Sequence, residues 1–366
     1  MWVFRHTILD RDGNPTRKSL YGATKADVMA KLATQRLLSV PAKPPSSLTM
    51  AEFLGSWLER IQRDVKPTTH EHYATIVRLY VNPFLGDARL TSFRRLQMDS
   101  LLLKLQKTDW STLPLYRKGA TQAKLRRVFS CISSALTKAA EWELIEANPL
   151  AGVSAPRVTR PVMKTWDEHQ AKRFVAGAAK HDLGALFILA LATGMREGEL
   201  LAMRWSDILF ENGMISVQHT LTEVRGKVLG LFPVKTDASV RSVHVSEAVL
   251  DLLKQHREQI KLIVPSDCPW VFPSRAGTNL TKSNLLKSFH RLCDSLDVPR
   301  IRFHDLRHTH ATLLLLSGIN VKVVSERLGH GQTGITQNTY QHVLPTMQAQ
   351  AVLHVDALMG LTTNPS

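Results

Sequence analysis

The spacing of apolar and polar positions divides this 366-residue chain into regions of different character. Residues 2–9 and a second run ending near Tyr21 favour two short strands joined by a turn rich in Asp, Gly and Pro. Thr24 and Asp27 have the spacing of a helix N-terminal capping pair, which predicts a helix behind them. The proline-rich segment 41–47 cannot continue that helix and predicts a linker.

The next region has apolar positions with helical spacing throughout. Thr49 with Glu52, and Thr68 with Glu71, predict capping boxes at the starts of two helices. A third helix carries an apolar stripe that begins at Leu125. Each of the three helices has one such apolar stripe, and we interpret these stripes as core. Three basic residues lie on the opposite side of that third helix: Lys124, Arg126 and Arg127.

Beyond a second linker, residues 152–161, helical and strand patterns alternate. A run at 183–193 is apolar on every side and predicts a buried helix. Strand-forming runs follow at 214–221, 228–234 and 240–245. Helical patterns resume at 247–263, 281–295, 305–317, 320–328 and 334–341, before a last amphipathic stretch at 345–358. We predict a multidomain, mainly α fold with small β-sheets: a β-hairpin/α domain at 1–45, an all-helical domain at 46–158 and an α+β domain at 159–366.

The chain is strongly basic, with a net charge of +16 and a pI near 10.0. Residues 46–160 alone hold 17 basic against 10 acidic side chains, so the excess is not one charged tail. A nucleic acid is the partner that best matches such a charge, although solubility alone remains an alternative. The charge excess makes Lys124, Arg126 and Arg127 candidates for DNA contact, although a basic helix face is usually only solvated. The three cysteines form no C-x-x-C pair, and neither a signal peptide nor a membrane span is recognisable, which favours the cytoplasm.

Reactive side chains cluster near the end of the chain. Of the five tyrosines, only Tyr340 lies beyond the second linker. His304 and Arg307 are three residues apart, so on a helix they share a face. This pairs a titratable group with a guanidinium fork suited to phosphate. His304 and His308 also have a spacing that can bind metal, but no third ligand set is obvious.

Five motifs in this region resemble those of tyrosine site-specific recombinases of the phage or mobile-element integrase type, in the same order. They are Ala192-Thr-Gly-Met-Arg196-Glu-Gly-Glu199, Val234-Lys235-Thr-Asp-Ala-Ser-Val-Arg241, His304-Asp-Leu-Arg307, Leu328-Gly-His330 and Thr339-Tyr340. The resemblance covers the C-terminal half almost end to end. The helical region resembles the family's core-binding domain, and the first segment resembles its arm-type DNA-binding domain.

The resemblance implies covalent catalysis. The Tyr340 oxygen would attack a DNA phosphodiester, leaving a 3′-phosphotyrosyl link and a free 5′-hydroxyl. The 5′-hydroxyl of a second strand would then reverse the reaction on a new partner. Lys235 would serve as general acid to the 5′-oxygen leaving group. His304 would act as general base or acid near Tyr340, since an unperturbed tyrosine at pH 7 is mostly protonated.

The resemblance also assigns the groups that bind the reacting phosphate. Arg196 and Arg307 would stabilise charge on the non-bridging oxygens, and His330 would donate a hydrogen bond to them. Glu199 would support the site by orienting its neighbours. No ATP would be consumed, because the phosphotyrosine retains the bond energy, and no divalent metal would be required for the chemistry.

The expected partners are double-stranded DNA attachment sites, with a homotetramer assembled on paired DNA and host or element-encoded DNA-bending and directionality factors. Integration and excision of a phage or mobile element in the bacterial cytoplasm or nucleoid would be the outcome. A type IB topoisomerase-like activity and a non-catalytic DNA-binding regulator are the alternatives. The apolar stretch 347–359 could dock on a neighbouring protomer or on its own domain.

Overall fold

The computed structural model describes residues 2–9, 15–24, 27, 47–108, 121–158, 163–234 and 240–329, with the isolated residues 331, 334, 355 and 359. The chain divides into two compact units after Arg160, within the second predicted linker. Helices dominate both units and the sheets are small and antiparallel, which confirms the predicted fold class. The described segments contain no helix long and apolar enough to cross a membrane.

The first unit begins with the predicted hairpin. Strand β1 (Trp2–Leu9) pairs antiparallel with β2 (Pro15–Gly22) along its whole length. Thr24 and Asp27 form the predicted capping pair, because each backbone N–H donates to the other side chain at 3.1 Å. The remainder of the helix expected behind them lies outside the described residues.

A helical core makes up most of what is described of the first unit. The Thr49–Glu52 capping box is confirmed, with the Thr49 N–H donating to the Glu52 carboxylate at 3.0 Å. The stripe starting at Leu125 is buried as predicted, because apolar residues recur every three to four positions along one face. Within the described residues, the α-helices of this core are α1 (Met50–Ile61), α2 (Pro67–Ile76), α3 (Asn82–Leu85), α4 (Arg95–Lys107) and α5 (Gln122–Glu141).

The second capping box predicted in this unit is wrong. Helix α2 starts at Pro67, and its N-cap residue, Lys66, makes no side-chain cap hydrogen bond. Proline suits the first helical position because its fixed φ matches the helix and its missing N–H would have no partner there. Thr68 therefore already lies inside the helix, and the Glu71 carboxylate accepts a hydrogen bond from the Thr75 hydroxyl at 3.0 Å instead.

The second unit packs its helices around one aromatic core. The α-helices among its described residues are α6 (Glu168–Ala178), α7 (Gly184–Thr193), α8 (Glu197–Ala202), α9 (Glu247–Lys261), α10 (Lys282–Ser295), α11 (Asp305–Leu316) and α12 (Val321–Leu328). Helix α7 is buried on nearly every side, as predicted. Trp166 packs against Phe174 and Phe289, and its backbone N–H donates to the Thr309 hydroxyl at 3.1 Å. These contacts fix α11, which carries His304 at its start, against the core.

The strands of the second unit form two separate sheets. Strands β3 (Ile208–Leu209), β4 (Met214–Val217) and β7 (Arg241–His244) make a three-stranded sheet, and β5 (His219–Val224) pairs with β6 (Lys227–Pro233). The run predicted as one strand at 214–221 is therefore two strands, divided at Gln218. The split occurs because β4 takes β7 as its partner, whereas the residues after Gln218 pair with β6.

Candidate active site

A tight turn between α7 and α8 presents the first arginine of the motif set. Gly194 adopts a left-handed φ of 64°, and a Cβ there would lie 2.7 Å from the His310 ring, so only glycine fits without displacing it. Arg196 then caps α8, and its backbone N–H donates to Glu199 Oε2 at 2.9 Å. This hydrogen bond fixes the backbone of Arg196, and it therefore fixes where the Arg196 side chain begins, next to Glu199.

Helix α11 supplies His304 and Arg307 from its first turn. His304 is the N-cap residue, and Asp305 behind it is buried and accepts hydrogen bonds from the Arg302 backbone and guanidinium. Arg307 is 3% exposed and donates from Nη1 to the Gly194 carbonyl at 2.8 Å. The Arg307 side chain therefore links α11 to the turn that carries Arg196.

Three arginines meet at the C-terminal end of α12. Arg241 Nε donates to the Arg327 carbonyl at 2.9 Å, Arg307 Nη2 to the Leu328 carbonyl at 2.7 Å, and Arg196 Nη2 to the Gly329 carbonyl at 3.1 Å. The last carbonyls of a helix have no partners within the helix and carry the negative end of its dipole. The helix end therefore anchors three cations immediately before His330 in the chain.

Glu199 is the carboxylate at the centre of this cluster, with a side chain only 2% exposed. Oε1 accepts from Arg196 Nη1 at 2.8 Å, and Oε2 accepts from Arg241 Nη2 at 2.9 Å. Burial opposes ionisation of this group, but the hydrogen bonds from Arg241 and Arg196 outweigh it and hold the pKa of Glu199 below its ordinary value. Glu199 is therefore an ionised bridge between two guanidinium groups.

The described histidines near the arginines, His304, His308 and His310, are neutral at pH 7. Desolvation, with the guanidiniums of Arg307 and Arg196 adding to it, lowers the pKa of His304 although one side of the residue faces solvent. Desolvation and neighbouring His304 lower the pKa of His308 to about 4. Burial and Arg327 lower the pKa of His310 to about 3. A neutral His304 can accept a proton, as a general base must.

His310 has a fixed role in the packing around the arginines. Arg327 Nε donates to His310 Nε2 at 3.2 Å, so this ring nitrogen is the unprotonated one. The same guanidinium donates from Nη2 to the Ala192 carbonyl at 3.1 Å. His310 and Arg327 thus connect α11 and α12 to the end of α7, behind the turn at Gly194.

Four of the predicted site residues come together in the described part of the second unit: Arg196, Glu199, His304 and Arg307. Lys235, His330 and Tyr340 lie outside the described residues. Sequence reasoning missed Arg241, although this residue ends the motif that contains Lys235. A basic residue at the start of a half-buried strand was the available signal, because such a charge needs an acidic partner.

His304 and His308 have the spacing of a metal-binding pair, but no third ligand lies beside them in the described part of the chain. Their rings make a T-shaped contact with centroids 5.1 Å apart. Among described residues, no group of three His, Cys, Asp or Glu side chains is arranged to hold a metal ion.

The predicted DNA-contacting residues of the first unit lie along the first turns of α5. Arg126 and Arg127 are exposed, and Lys124 is half-buried, with its backbone N–H donating to the Thr121 cap. The positive field of Arg127 contributes, after burial, to a lowered pKa of His72. The exposed face of α5 is therefore positively charged at neutral pH.

Comparisons with known proteins identify the family to which this chain belongs. Residues 164–347 match the model of the phage integrase family, and residues 49–105 match the phage integrase N-terminal SAM-like domain. A XerC-like tyrosine recombinase of Caldanaerobacter subterraneus subsp. tengcongensis is 29% identical over 94% of this chain and 92% of its own length.

Solved integrase structures have the same fold. The Tn1549 transposon integrase in complex with transposon right end DNA aligns with a TM-score of 0.67 at 21% identity, covering 83% of this chain and 98% of that one. A lambda integrase tetramer bound to a Holliday junction aligns with a TM-score of 0.56 at 18% identity, covering 89% and 96%.

Proposed function

The chain belongs to the phage integrase family of tyrosine recombinases, and from this premise we propose that it integrates and excises a mobile element through a 3′-phosphotyrosyl intermediate at Tyr340. It is a site-specific DNA recombinase. The observation that carries the proposed chemistry is the meeting of Arg196, Arg307 and Glu199 at the end of α12, two residues or fewer before His330.

The arginines would stabilise the charge that builds on the scissile phosphate. Arg196 keeps about a third of its side chain exposed, at 36%, and is oriented by Glu199. Arg307 is held by two carbonyls beside it. Guanidinium groups fixed before the reaction need no reorganisation when the charge develops, which is the main source of electrostatic catalysis. We assign His330 a hydrogen bond to the same phosphate.

The proton transfers fall to a base and an acid at opposite sides of the phosphate. His304, neutral at pH 7, would take the proton of the Tyr340 hydroxyl as that oxygen attacks phosphorus. Lys235 would give a proton to the departing 5′-oxygen. In strand joining the roles reverse, so that the phosphotyrosyl bond breaks as a new 5′-hydroxyl attacks.

We further propose that neither ATP nor a divalent metal takes part. The two arginines supply the positive charge that a metal ion would bring to phosphoryl transfer. Cleavage in excess EDTA without nucleotide should proceed at the rate seen with Mg²⁺. A loss of cleavage that Mg²⁺ or Zn²⁺ restores would contradict this proposal.

Double-stranded attachment sites are the proposed substrate, bound by a homotetramer that pairs two of them. Support comes from the net charge of +16, from the exposed Arg126 and Arg127, and from the tetramer seen for lambda integrase. Chromosomal DNA as substrate implies the bacterial cytoplasm or nucleoid. DNA-bending and directionality proteins would bias the exchange toward insertion or excision.

The test is recombination between two sites carried on one supercoiled plasmid, taken from the DNA that flanks the gene. The wild-type protein should produce junctions with one defined crossover sequence, and Tyr340→Phe should produce none. Relaxation of plasmids lacking the sites, without sequence-defined junctions, would instead identify a topoisomerase-like activity. Specific binding without any strand exchange would identify a DNA-binding regulator.

A further inference from the structure

Arg241 lies in the arginine cluster but differs from Arg196 in the groups that it contacts. Its side chain is 7% exposed, against 36% for Arg196. Its Nε donates to the Arg327 carbonyl, and both Nη atoms donate to Glu199, at 3.3 and 2.9 Å. All three nitrogens of this guanidinium are therefore directed at protein acceptors.

We propose that Arg241 is a positioning residue of the strand-transfer reaction, which fixes Glu199 and through it the guanidinium of Arg196. This inference rests on the proposed function, in which Arg196 binds the reacting phosphate. In this role Arg241 acts through Glu199 and not by contact with DNA, because both of its Nη atoms are paired with that carboxylate.

The coupling runs through a single carboxylate. Glu199 Oε1 accepts from both Arg196 Nη1 and Arg241 Nη1, and Oε2 accepts from Arg241 Nη2 and the Arg196 backbone. A carboxylate held by a bidentate fork cannot rotate. Without Arg241 the carboxylate would keep only the hydrogen bonds from Arg196 itself. No second guanidinium would then fix the carboxylate that sets the direction of the Arg196 side chain.

Arg241 also joins two stretches of chain that carry predicted site residues. It begins β7, directly after the segment that contains Lys235, and Val217 of β4 pairs with it across the sheet. Its bond to the Arg327 carbonyl holds the end of α12, three residues before His330. Removing Arg241 should therefore disturb the site without removing any group that contacts phosphate.

The experiment measures single-turnover cleavage of a nicked attachment-site DNA by the full-length protein. One substrate has the natural scissile phosphodiester, and the other has a methylphosphonate, which lacks the negative charge that Arg196 neutralises. The variants are Arg241→Gln and Arg241→Lys. The matched control is Arg173→Gln, because Arg173 also donates to two backbone carbonyls and a carboxylate, but on α6 and the loop after α10.

On the phosphodiester, Arg241→Gln should slow cleavage about 10- to 100-fold, the usual effect of losing a group that orients a reacting one. DNA affinity should change less than about threefold, and the loss on the methylphosphonate should be below about threefold. Arg241→Lys should recover little of the rate, since an ammonium lacks the fork. Arg173→Gln should leave both rates unchanged.

Equal losses on the two substrates would overturn the inference, because general damage to the fold slows both alike. An unaltered rate for Arg241→Gln would overturn it as well. If Arg241→Gln does not fold, the same comparison with Arg241→Lys decides between these outcomes. A wild-type protein that cleaves neither substrate would refute the proposed function and this inference with it, whereas wild-type cleavage with equal losses refutes the inference alone.

Discussion

Removing the Glu199 carboxylate should lower the free energy of unfolding of the second unit far more than removing an exposed carboxylate would. In Glu199→Ala, Arg196 loses one ion-pair partner and Arg241 loses the acceptor of both its Nη atoms. Arg241 cannot turn to water, because its side chain is 7% exposed and its Nε stays bound to the Arg327 carbonyl. The variant therefore removes, from a buried guanidinium, the carboxylate that both its Nη atoms contact.

The size of the effect follows from the hydrogen bonds and the buried ion pair that the substitution removes. A hydrogen bond to a charged group contributes about 1.5–3 kcal/mol, and breaking a buried ion pair from one side costs about 3–5 kcal/mol. We expect the free energy of unfolding to fall by about 3–5 kcal/mol, which changes the unfolding equilibrium by roughly a hundredfold or more. Glu199→Gln should lose less, because its amide oxygen still accepts one hydrogen bond.

Urea unfolding followed by tryptophan fluorescence measures this change, since Trp166, Trp205 and Trp270 all lie in the second unit. The control is Glu168→Ala, which also removes a carboxylate from the first turn of a helix, but an exposed one paired with Lys172. The control should leave the urea midpoint nearly unchanged. A loss below about 1 kcal/mol for Glu199→Ala would refute the reasoning, because surface ion pairs already contribute that much.

Further predictions concern pH and DNA binding. Below pH 6.5 the unfolded chain protonates His310 while the folded protein, with a pKa of about 3, does not, so the free energy of unfolding falls with falling pH. Urea unfolding from pH 7 to 4 should show a shallower fall of this free energy for His310→Gln, by up to about 1.4 kcal/mol per pH unit. Parallel pH curves for the variant and the wild type would contradict this. Arg126→Ala with Arg127→Ala should weaken DNA binding at all sequences and reduce the slope of log K against log salt by about 2 in salt titrations. Lys138→Ala on the same helix should change the slope less, because Glu141 already pairs with Lys138. An equal change would contradict the prediction that Arg126 and Arg127 form a specific DNA-contact face.

Local chemistry made much of the fold predictable. The capping pairs at Thr24 and Thr49 and the all-apolar pattern of α7 depend on residues a few positions apart, and each was confirmed. The pair at Thr68 failed because Pro67 imposes a helix start two residues earlier, with Lys66 as the N-cap residue. The strand at 214–221 failed because β pairing joins distant segments, so alternation alone does not identify where one partner replaces another.

Sequence reasoning named four residues that the described part of the second unit brings together, but it did not reveal how they are connected. The motif order identified Arg196, Glu199, His304 and Arg307, but the acceptors of the arginines are backbone carbonyls, which every residue carries and no sequence pattern marks. Arg241 was missed because its partners, the Glu199 carboxylate and the Arg327 carbonyl, lie 42 and 86 positions away in the chain. The places of Lys235, His330 and Tyr340 remain predictions.

The most direct measurement is the chemical identity of the protein–DNA bond. The protein is incubated with a nicked attachment-site DNA, digested with nuclease and trypsin, and the modified peptide is sequenced by mass spectrometry. A nucleotide attached through its 3′-phosphate to Tyr340 is the expected result, with no adduct from Tyr340→Phe. A nucleotide on another side chain, or an adduct that persists in Tyr340→Phe, would contradict the proposed mechanism.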